Sequence, residues 1–150
     1  MNEPPTAQES MEIACRFMEI VDTLQDGTDA AADALTDYLG EDPETGTLRA
    51  WYLASCGPLI ASAALKSLNK GEPFKGGFWG LVQIPGSPLG SEPSQLAMMR
   101  SLTAYLNEDA EAATDVIAAH HATHGIEGLF GMICAALILT AFLKKEGAFA

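Results

Sequence analysis

Positive charge is what this sequence has least of: 8 Lys and Arg stand against 20 Asp and Glu, a formal net charge of −12. Recognition of phosphate needs clustered Lys and Arg, so direct nucleic-acid binding and an anionic membrane surface are not expected, and a basic protein is the better-matched partner. The furthest extension of that reading is an acidic mimic whose carboxylates imitate phosphates and block a basic protein. Cysteine is also scarce. The 3 thiols, Cys15, Cys56 and Cys134, cannot all pair within one chain, and they sit among apolar residues at helical spacing, as buried reduced thiols do. A reducing cytoplasm is the expected setting. The opening Met-Asn-Glu-Pro-Pro lacks the basic patch and apolar run of a secretory signal. A long hydrophobic run is missing too: the most apolar stretch, Leu129 to Leu143, is shorter than the ~20 residues a membrane-spanning helix needs and predicts a buried core helix.

What is present suits one folded domain. Of 150 residues, 48% are hydrophobic and 19% charged, and a chain of this length buries roughly 70% of its unfolded surface in one core.

Helical periodicity dominates. Thr6 and Glu9 form a T-x-x-E capping box, so a first helix runs to about Gln25, with Ile13, Phe17, Ile20, Val21 and Leu24 as its buried stripe and Asp26-Gly27 as its end. Thr28 is placed to cap a second helix, about Asp29 to Leu39, which sets Ala31, Ala34, Leu35 and Tyr38 opposite Asp29, Asp33 and Asp37. A polar loop, Gly40 to Gly46, leads to a third helix, about Leu48 to Leu68, where Pro58 should introduce a kink.

The second half repeats this plan. Setting Asp33 on Asp115 places Ile20 on Leu102, Leu24 on Leu106, Ala31 on Ala113 and Leu35 on Ile117. After a four-residue shortening, Cys56 falls on Cys134 and Leu59-Ile60 on Leu137-Ile138. The expected fold is therefore all-α: a single domain of six helices in two similar three-helix halves, the product of an internal duplication. The first repeat covers about residues 6–70, the connecting loop 71–93, and the second repeat about 94–147. Its helices are expected at about Ser94 to Asn107, Ala110 to Thr123 and Ile126 to Lys145. The connecting loop is rich in Gly and Pro yet carries Phe74, Phe78, Trp79, Leu81, Val82 and Ile84, and a loop this long and apolar packs on the body or serves a function.

Candidate chemistry is thin. His120 and His124, four apart on a helix, share a face as paired metal ligands do, and Asp115 or Glu127 are the residues that would complete such a site. The plainer reading is a helix end whose histidines meet the last carbonyls before Gly125. Cys56-Gly57-Pro58 opens like a Cys-x-x-Cys redox motif, but Leu59 stands where the second cysteine belongs. Asp22, Asp26, Asp29, Asp33 and Asp37 step along a solvated acidic face without the tight ligand loop of a calcium site. Lys75-Gly76-Gly77 lacks the spacing of a phosphate loop. Phe78, Trp79, Tyr105, His120 and His124 remain as ligand-binding or interface candidates; no cofactor is called for. The function expected is a protein-interaction or regulatory module acting as a homodimer. The alternative is a small-molecule or metal-binding protein, or an enzyme, using the His120 to His124 segment.

Overall fold

A computed structural model describes residues 5–68 and 92–149. The described residues are all-α, with five helices: α1 (Ala7–Thr23), α2 (Thr28–Leu39), α3 (Pro43–Leu68), α4 (Pro93–Leu106) and α5 (Ala110–Lys145). The count is five rather than six. The two stretches expected as separate last helices follow one another directly in α5, with a kink at Gly125 (φ 69°, ψ −157°), where the chain leaves helical geometry.

Local chemistry explains most boundaries. At α1 the Glu9 amide donates to Thr6 Oγ1 at 3.1 Å and the Thr6 amide donates to Glu9 Oε1 at 3.3 Å, the reciprocal capping box. One 3-10 turn, Leu24–Asp26, then leads to Gly27, whose φ of 110° ends the run. The second helix starts at Thr28 itself with Gly27 as its cap, so Thr28 is the first helical residue and not the capping one. The third helix begins at Pro43, inside the stretch read as a loop. The reason is Asp42, whose carboxylate accepts from the Thr45 amide at 2.9 Å and the Thr45 hydroxyl at 2.6 Å, while Pro43 takes the first helical position, where no backbone donor is needed. These hydrogen bonds hold the Asp42 carboxyl below its ordinary pKa. Pro58, expected as a kink, lies within the helical run of α3.

The core sits among α3, α4 and α5, which share the most extensive contacts; α1 packs on α2, α3 and α5. The two most apolar helices meet where a Cβ on Gly57 would lie 2.6 Å from Ala136 Cβ and 3.1 Å from the Phe17 ring. Glycine at that position lets the backbones close and Phe17 seal the crossing. At the α1–α2–α3 corner, the Arg16 and Arg49 guanidiniums lie 5.8 and 5.5 Å from the Tyr38 ring centroid, and Arg49 donates to the Tyr38 carbonyl at 2.7 Å. By length and composition α5 could cross a membrane, and 56% of its most apolar window is buried among the other helices.

Candidate functional site

The three histidines of α5 divide between two neighbours. His120 is buried and its Nε2 lies 2.9 Å from Ser94 Oγ, at the start of α4. His121, the next residue, turns to α3, where the Trp51 indole N–H donates to its Nδ1 at 3.1 Å with the rings edge to face at 83°. His124 is exposed and lies beside His120, their ring centroids 4.5 Å apart. The side chains of His120 and His121 are thus held by Ser94 and Trp51, while Gly125, directly after His124, leaves helical geometry where the helix end was expected.

Two glycines make room for this arrangement. A methyl on Gly128 would lie 2.8 Å from His124 Cβ and 3.0 Å from His120 Cδ2, and one on Gly131 would run into Ser94 at 2.6 Å from its Cβ. The repeat of glycine at 128 and 131, one helical turn apart, is the signal that sequence reading passed over. Ser94 was not singled out either, because only the folded arrangement joins it to a histidine 26 residues away. Burial first, and His124 second, push the His120 pKa below its ordinary 6.5, so the imidazole is neutral near pH 7. A neutral His beside a serine hydroxyl can exchange a proton with it or orient a polar ligand. Among the described residues no three His, Cys, Asp or Glu gather into a metal-holding group, so neither Asp115 nor Glu127 completes a set with His120 and His124.

Tyr105 is half-buried and hydrogen-bonded with Ser55, and burial raises its pKa. It lines a cleft of about 280 Å³ with Trp51, Tyr52, Cys56 and Leu59. Trp51, which lines this cleft with Tyr105, is the residue that donates to His121. Phe78 and Trp79 lie outside the described residues.

The cysteines depart from expectation. All three are free, but Cys15 and Cys134 are exposed and Cys56 is half-buried. The pKa of Cys56, a residue of α3 that lines the aromatic cleft, is pushed up to about 12 by desolvation. Cys134 falls in an apolar run, yet α2 scarcely approaches α5, and the thiol opens onto the gap between them. Its pKa is raised all the same, since the surrounding walls are apolar.

That gap is the second candidate site. It is a cleft of about 340 Å³ lined by Leu24, Ala32, Leu35, Phe130, Leu137 and Ile138 among others, with Cys134 in its wall and no charged residue in its lining. Ile138 keeps 37% of its surface exposed although it sits in the most apolar helix of the chain. The groove went unread because an apolar residue on a helix does not announce whether its neighbour closes over it. Compared with known protein families, curated proteins and solved structures, the chain matches none.

Proposed function

We propose that the protein is a helical docking module that receives an apolar helix of its partner in the groove between α2 and α5. The observation that carries the reading is the open groove itself: an uncharged apolar lining, with Ile138 and Cys134 at the surface where a core helix would ordinarily be covered. Burying such a lining supplies roughly 25 cal/mol per Å² removed from water, less the cost of association. A homodimer, in which a second copy supplies the helix, is the rival occupant.

The groove carries its own reporter. A synthetic amphipathic peptide with a Leu face and neutral Gln flanks is expected to slow maleimide labelling of Cys134 while leaving Cys15 unchanged, because Cys15 lies in a different cleft beside Arg16 and Glu19. Ile138→Asp should abolish that protection while preserving far-UV circular dichroism. Equal labelling with and without peptide would remove the reading.

A second reading rests on the Ser94–His120 contact: a polar small-molecule site, enzymatic or not, at the α4–α5 junction. It predicts a retained mass in the native mass spectrum of the purified protein, lost on replacing His120 and His124 by alanine. A spectrum free of added mass counts against it. We also read the chain as an internal duplication. The matched positions Ala31 and Ala113 are both buried, as are Ser62 and Thr140 under the same four-residue shortening, which supports that origin.

A further inference from the structure

We infer that the occupant of the α2–α5 groove is a basic amphipathic helix of a different protein. The inference rests on the docking reading and specifies its partner. It comes from what borders the groove. On α2 the lining residues Ala32 and Thr36 are each three residues beyond an aspartate, Asp29 and Asp33, and residues three and four apart are neighbours on a helix surface. Both aspartates are exposed, so α2, the outer lip of an uncharged groove, carries two carboxylates one helical turn apart.

Three of the described cations are engaged away from this lip. Arg16 and Arg49 lie over Tyr38, and Lys144 pairs with Asp22. A helix that fills the groove with Leu or Ile and carries Lys or Arg along one flank satisfies both features at once. A second copy of this chain does not. It would bring its own Asp29 and Asp33 and a net charge of −12 toward an equal charge, and like charges juxtaposed at an interface oppose association.

The test uses the full chain and three labelled peptides of about 18 residues, about five helical turns, with one Leu face and flanks of Lys, Gln or Glu. Fluorescence anisotropy measures affinity, and maleimide labelling of Cys134 against Cys15 locates the binding. The expected order is Lys over Gln over Glu, with roughly tenfold between the extremes in low salt, shrinking as salt screens the lip. Asp29→Asn with Asp33→Asn should bring the Lys peptide down to the Gln peptide without changing the latter, and Ile138→Asp should weaken all three.

Equal binding of Lys and Glu peptides would overturn the charge inference and leave the docking reading standing. Binding of the Lys peptide without protection of Cys134 would overturn it too, as general attraction to an acidic protein. Protection of Cys134 in the free protein at high concentration, together with a dimer in sedimentation, would give the groove to a second copy. Failure of all three peptides would remove the docking reading itself.

Discussion

The two sides of α5 are built to opposite tolerances. Toward α3 and α4 there is no slack: Gly57 seats against Ala136 and Gly131 against Ser94, each at a distance where one added methyl collides. Toward α2 the same helix leaves a cleft of about 340 Å³ and an exposed cysteine. Fold rigidity comes from the first side, and it allows the second to stay uncovered. The contrast teaches that apolar character alone does not identify core: Leu139 is wholly buried while its neighbour Ile138 is 37% exposed.

Added volume should therefore have opposite signs on the two sides. Gly131→Ala forces α4 away from α5 and is expected to cost about 1–3 kcal/mol in urea unfolding, as overpacking does; a cost near zero would mean that the closed side has slack after all. Thr140 sharpens the description of that side. Its hydroxyl is buried with no hydrogen-bond partner among the described residues, so Thr140→Val should raise stability by about 1 kcal/mol, because an unmatched polar atom leaves the core. On the open side, Ala32→Leu adds a side chain where space exists and should raise stability by up to about 1 kcal/mol while blocking peptide protection of Cys134. A loss of stability there would show the groove to be narrower than its lining implies.

The smallest expected effect is a pH dependence confined to the closed side. Because His120 is harder to protonate folded than unfolded, the unfolded chain takes up the proton first as pH falls. Stability from this source is full above about 6.5, declines as pH drops from there toward the lower folded value, and levels beneath it. His120→Gln keeps a hydrogen-bonding group for Ser94 and should flatten that segment of the melting temperature against pH. An unchanged slope would assign the acid sensitivity to other groups.

Much of the fold was legible in the residues. Thr6 and Glu9 announced α1, and Ile13, Phe17, Ile20 and Val21 announced its buried face, because capping and periodicity are local. The start of α3 was missed since Gly40 to Gly46 read as a polar loop, whereas proline at a helix start behind a capping aspartate is at home. The expected break after Thr123 falls at the kink of α5, where Gly125 leaves helical geometry. The candidate sites were less legible. His120 and His124 were placed together by spacing alone, but Ser94, Gly131 and the separation of α2 from α5 depend on how distant helices cross, and no local pattern encodes that crossing.

The corner at Tyr38 reaches beyond local packing. Arg16 and Arg49, two of the 8 cationic residues, both lie over the Tyr38 ring, so their charge is gathered at the α1–α2–α3 junction and does little to soften the field around the rest of the molecule. A cationic partner of the kind proposed would then be drawn in before any contact forms. Its association rate constant should climb as ionic strength falls, while the dissociation rate, governed by the apolar lining, changes much less.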